Sequence, residues 1–128
     1  MKARLDAIMS ALEEKTGATW KCYDCKEDGG CYEITTYSPA GENVCITLRG
    51  GNLTALAQDA NEAWEAFDWE EHASRILVAK RCGNADEQRY YASAPDSLAE
   101  LIKDAGLIDD MYKALYYELR DAAQKEEE

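Results

Sequence analysis

Three cysteines, Cys22, Cys25 and Cys31, fall within ten residues near the front of the chain, in the run Cys-Tyr-Asp-Cys-Lys-Glu-Asp-Gly-Gly-Cys. A C-x2-C pair followed by Gly-Gly reads as two strands joined by a tight turn at Lys26–Gly30. That hairpin sets Cys25 opposite Cys31 and leaves Cys22 about one pair further back. Zinc takes about four ligands in a tetrahedron, and a C-x2-C knuckle supplies two thiolates from one turn. Converging thiols here would staple a small fold through a structural metal.

The sequence around this run predicts one domain over residues 1–128. Residues 1–17 carry an N-terminal helix, with Leu5, Ile8, Met9 and Leu12 at helical spacing and Gly17 as its stop. Residues 18–51 form an antiparallel meander. Its strands run from Ala18 to Tyr23, Tyr32 to Tyr37 and Val44 to Arg49, and in the third Val44, Ile46 and Leu48 alternate against Cys45, Thr47 and Arg49. Residues 52–125 are helical. Asn52 caps a helix whose inner face carries Leu53, Leu56, Ala57, Ala60, Ala63, Trp64 and Phe67. Asp68 and Glu71 form a capping box for a helix from Trp69 to about Arg81, and residues 82–95 read as a loop. Ser97 opens a short helix closed by Gly106, and Asp109 begins the last one, fraying at Lys125 and the three final glutamates. The expected fold is α+β, a three-stranded antiparallel meander packed on one face against four to five helices.

Strand geometry limits the metal ligands. A turn at Pro39–Glu42 pairs Cys45 near Thr36, more than about 15 Å along the strand from Cys31, so Cys45 reads as a core residue. The fourth ligand must come from the helical half. Cys82, followed by Gly83, is the first choice, and His72, the single histidine, is the second; Asp24, Glu27, Asp28 or water are further options. A redox Cys-x2-Cys opens a helix, whereas this one follows a strand and precedes a turn.

Charge excludes several functions. The chain has 26 acids against 14 bases, a formal net charge of -12, which opposes binding to nucleic acid or to an anionic membrane surface and fits a basic partner. No apolar run approaches the roughly 20 residues of a membrane span, and the first residues lack the apolar core of a signal peptide, so a cytoplasmic location is expected. No nucleophile elbow, Walker loop or dinucleotide fingerprint is present, and the expectation is a protein that is not an enzyme. Gly50-Gly51 reads as a tight turn.

The acids cluster instead. Asp59, Glu62, Glu65, Asp68, Glu70 and Glu71 place six carboxylates in thirteen residues, and helical neighbours at i+3 and i+4 lie about 5–6 Å apart, a spacing compatible with that of phosphates. Trp64 and Phe67 read as core, while Trp69, out of step with them, reads as an exposed anchor for a partner. A second acidic set, Asp96, Glu100, Asp104, Asp109 and Asp110, follows. In each of the pairs Tyr90-Tyr91 and Tyr116-Tyr117, one ring is expected inside and the other partly outside.

The stretch from Phe67-Asp68-Trp69-Glu70-Glu71-His72 through Pro95-Asp96-Ser97-Leu98-Ala99-Glu100-Leu101-Ile102-Lys103-Asp104-Ala105 resembles small proteins of phages and mobile elements. In size, acidity and cysteine cluster the whole chain resembles anti-CRISPR proteins that inhibit the nuclease Cas9. The resemblance implies a stoichiometric inhibitor in a bacterial host cytoplasm, an acidic surface filling the basic channel of a nucleic-acid enzyme. It transfers no functional residue. The alternatives are a zinc-bound adaptor in a mobile element and, more remotely, a zinc hydrolase.

Overall fold

The computed structural model describes residues 1–25 and 31–127, except the side chain of residue 127. Helix α1 spans Lys2–Thr16, followed by strands β1 (Trp20–Cys25), β2 (Cys31–Tyr37) and β3 (Asn43–Leu48). Helices α2 (Leu53–Ala66), α3 (Trp69–Cys82), α4 (Ala85–Tyr90) and α5 (Leu98–Glu127) complete the chain. The architecture is α+β, with the strands in the order β1-β2-β3 and both pairs antiparallel.

Local chemistry sets the element boundaries. Gly17 adopts φ 73°, the left-handed conformation glycine takes without strain, and its N–H donates to the Glu13 carbonyl at 2.9 Å to end α1. Between β2 and β3, Gly41 at φ 89° donates to the Ser38 carbonyl at 2.8 Å, and the Ser38 N–H donates to the Glu42 carbonyl at 2.8 Å. Asn52 and Asp68 accept from Ala55 and Glu71 backbone N–H groups, at 2.9 and 3.1 Å, and start α2 and α3 as their sequence positions predict.

The sheet has one covered face. Trp20 and Cys22 of β1, Ile34 and Thr36 of β2, and Val44, Ile46 and Leu48 of β3 are buried, and all except Thr36 belong to the main apolar cluster with α1, α2 and α5. The other face carries Lys21, Tyr23, Cys45 and Thr47 to solvent. The indole N–H of Trp20 donates to Thr16 Oγ1 at 2.9 Å, tying β1 back to the end of α1.

Two expectations for the helical half change. Residues 82–95 hold a short helix, α4, whose start is capped by Asn84 accepting from the Glu87 N–H at 2.9 Å. With no buried residue, α4 has no apolar periodicity to announce it. Gly106 does not stop a helix: α5 runs unbroken for 30 residues, through Lys125 and on to Glu127. Leu101, Ala105, Ile108, Met111, Leu115, Leu119 and Ala123 form one buried stripe at spacings of three and four, and burial of that stripe outweighs the modest penalty of one interior glycine.

Gly106 has no neighbouring atom within 4 Å of where a Cβ would stand, and its φ is not positive. Gly106→Ala should therefore stabilise the fold by about 0.5–1 kcal/mol, read as a rise of a few degrees in Tm. A Cβ at Gly50 would lie 2.4 Å from the Ala55 Cβ and 2.7 Å from its carbonyl carbon, so Gly50→Ala should destabilise by about 1–3 kcal/mol in the same melt.

Candidate functional site

The cysteines separate by strand parity. Cys25 lies directly opposite Cys31, as the hairpin reading requires, but Cys22 lies opposite Ile34. β1 stays extended through Cys25, and residues three apart on a strand point to opposite faces. Cys22 thus joins Trp20 in the core, 8% exposed, while Cys25 shares the other face with Tyr23. Cys82 ends α3 as an exposed residue. Of the expected set Cys22, Cys25, Cys31 and Cys82, the register pairs Cys25 with Cys31 and sets Cys22 on the opposite face of the pleated strand. Among the described residues no three His, Cys, Asp or Glu side chains gather as metal ligands do. The turn at Lys26–Gly30, with the alternative ligands Glu27 and Asp28, lies outside the described residues.

His72 and Cys45 each have a carboxylate partner. His72 Nε2 contacts Glu42 Oε1 at 2.6 Å, and its ring packs on Phe67 with centroids 5.1 Å apart, which ties α3 to the β2–β3 turn. Cys45 lies opposite Thr35, one residue from the expected Thr36, and on the solvent face rather than in the core. Its thiol donates to Glu33 Oε1 at 2.9 Å.

The acids divide in the same way. Asp59 Oδ2 accepts from the Arg49 and Gly50 N–H groups at 2.8 and 2.7 Å, fastening α2 to the end of β3. Asp68 caps α3, and Glu71 pairs with Arg75 at 2.9 Å. Trp69 is not an exposed anchor: it is half-buried against a second apolar cluster containing Ala73, Ile76, Leu101 and Ala105. Glu62, Glu65 and Glu70 are exposed, and among the described residues no lysine or arginine pairs with them. Glu65 accepts only from the neighbouring Asn61 amide at 3.1 Å.

Glu62 and Glu65 border a groove of about 680 Å³ between α2 and α5, which also involves Tyr116 and Arg120. The Arg120 guanidinium lies 4.5 Å from the Tyr117 ring centroid. Tyr116 and Tyr117 are both half-buried beside Trp64, whose indole N–H donates to Asp109 at 3.0 Å. Tyr90 is exposed and Tyr91 half-buried, so neither tyrosine pair has the fully inside ring that the sequence predicts.

In the second acidic set Asp104 turns inward, while Asp96, Glu100 and Asp110 stay exposed. Asp104 is 7% exposed and clamps the β2–β3 turn, accepting from Ser38 Oγ at 3.0 Å and from the Ala40 N–H at 3.2 Å. Asp96 pairs with Lys80 at 2.7 Å. A cavity of about 180 Å³ beside this clamp is bounded by Glu42, Asp104, Tyr90 and Tyr91. The sequence carries one signal for the clamp, the Ser38-Pro39-Ala40-Gly41 turn, but nothing that links it to Asp104, 66 residues from Ser38.

No family model, curated protein or solved structure matches this chain.

The thiols report these surroundings. Burial pushes Cys22 up from 9.0 to about 11. Desolvation and then the Glu33 carboxylate push Cys45 to about 11 as well. A raised folded pKa means that stability is fully present below pH 9 and is lost as pH rises toward 11, because the unfolded chain gives up its proton first. Burial raises Tyr112 with the same sign. Urea denaturation from pH 8 to 11 should show a falling midpoint, and Cys22→Ala should make that fall shallower than in the wild type despite a lower starting stability.

Proposed function

We propose that this chain is a binding protein that acts by occupancy, docking the exposed carboxylate face of α2 and α3 on a basic nucleic-acid-binding surface of another protein and excluding nucleic acid from it. The observation that carries the reading is the set Glu62, Glu65 and Glu70. Of the six acids clustered from Asp59 to Glu71, Asp59, Asp68 and Glu71 clamp, cap or pair, and these three remain exposed without a basic partner among the described residues. The net charge of -12 supplies a long-range field of the same sign.

Three unneutralised carboxylates on a helical surface attract a cationic patch, accelerate encounter and lose influence as salt screens them. The resemblance to anti-CRISPR proteins makes Cas9 the specific partner to test. On this reading Trp69 supports the face from beneath, by packing, and Asp59 and Asp68 hold the helices that present it.

The test is titration into a Cas9–guide cleavage assay, with target-DNA mobility followed in parallel. Inhibition should saturate near one equivalent and weaken with added salt. The triple variant Glu62→Lys, Glu65→Lys, Glu70→Lys should bind at least about tenfold more weakly with an unchanged Tm. Undiminished inhibition by that variant would sink the face, and no inhibition across a panel of Cas9 orthologues would remove this partner.

A further inference from the structure

We infer that Cys25 and Cys31 are a thiol-modification site that closes to a cross-strand disulfide when it meets a small-molecule disulfide such as oxidised glutathione. The two residues are direct partners in the antiparallel register of β1 and β2. Directly opposed residues have Cα atoms about 4.5 or 5.5 Å apart, depending on whether the pair is hydrogen-bonded, and both values fall inside the range that disulfides span. Opposed residues also share a face of the sheet, so both side chains leave the backbone on the same side. The Cys31 Sγ lies 4.0 Å from the carbonyl oxygen of Cys25, already turned toward the neighbouring strand.

The other thiols are placed differently. Cys22 points into the core from the opposite face, Cys45 stands across from Thr35, and Cys82 is on α3. The half-buried Cys25 is the more accessible member of the pair and Cys31 the more buried. Access therefore orders the chemistry. The Cys25 thiolate, its proton released to water, attacks one sulfur of oxidised glutathione, forming a mixed disulfide and expelling one glutathione thiolate. The Cys31 thiolate, likewise deprotonated, then attacks the Cys25 sulfur and expels the second. Two protein thiols are oxidised, one glutathione disulfide is reduced to two thiols, and the released protons end on the leaving groups. The new bond closes a loop of seven residues, counted from Cys25 to Cys31.

The experiment incubates the full chain with oxidised glutathione at neutral pH, follows intact mass, and maps linked peptides. The expected result is a loss of two hydrogen atoms, a Cys25–Cys31 crosslinked peptide, and a rise in Tm of roughly 5–10 °C that reductant reverses. The double variant Cys45→Ser, Cys82→Ser should behave identically, while Cys31→Ser should stop at the glutathione adduct on Cys25. The inference is overturned if wild type stops at mixed disulfides, or if the mapped bond joins Cys25 to Cys45 or links two chains. Because the readout is a mapped bond in the native protein, it stands apart from the outcome of the binding test.

Discussion

The apolar stripe of α5 serves two groups of buried side chains at once. Ile108, Met111, Leu115, Leu119 and Ala123 enter the main core beneath the sheet, while Leu101 and Ala105 enter the smaller one with Ala73 and Ile76 of α3. At 1.5 Å per residue the helix is about 45 Å long, enough to reach both. Burying each large aliphatic side chain contributes about 1.5–3 kcal/mol. Removal of the stripe would take from α1, α2 and α3 the helix against which all three pack. The turn clamp depends on it too, since Asp104 sits one residue before Ala105 and reaches Ser38 and Ala40 from the flank of the same stripe.

Charge in this protein sorts by duty. Asp59, Asp68 and Asp104 each accept backbone or hydroxyl hydrogen bonds at an element boundary, where a carboxylate satisfies groups that would otherwise be left unpaired. Glu42 faces His72, Asp96 faces Lys80 and Glu71 faces Arg75. What remains outward on α2 and α3 is a smaller and better-defined surface than the composition suggests. Arg120, stacked on Tyr117 at the far side of the α2–α5 groove, places a positive charge near Glu62 and Glu65 and gives that end of the face a mixed character.

Much of the fold is legible from local rules. Alternation of Val44, Ile46 and Leu48 gives the buried face of β3, Asn52 and Asp68 mark helix starts, and Gly17 and Gly41 mark places where φ turns positive. These signals are short-range, so adjacent residues carry them. Gly106 misleads because local propensity predicts a stop, whereas tertiary burial on both sides of it carries the helix through. Helix α4 is missed because it buries nothing. C-x2-C converges in a turn and diverges on a strand, and the spacing alone does not tell which backbone it sits on; in β1 it lies on a strand, with Cys22 and Cys25 on opposite faces. The burial of Asp104 and the packing of Trp69 depend on residues far away in the chain, which no window of sequence reports.

The order of elements along the chain has a consequence for synthesis. α1, the meander and α2 emerge from the ribosome before α5, and their pairings with one another are mostly between sequence neighbours. The sheet can therefore zip early, while Ile34, Ile46 and Leu48 keep an apolar face without its final cover until α5 has been translated. At about 5–20 residues per second that interval lasts several seconds, long enough for a chaperone to engage. A nascent chain stalled before α5 would present this sticky face to its surroundings, so translation pausing upstream of Leu98 bears directly on how much native protein a cell obtains.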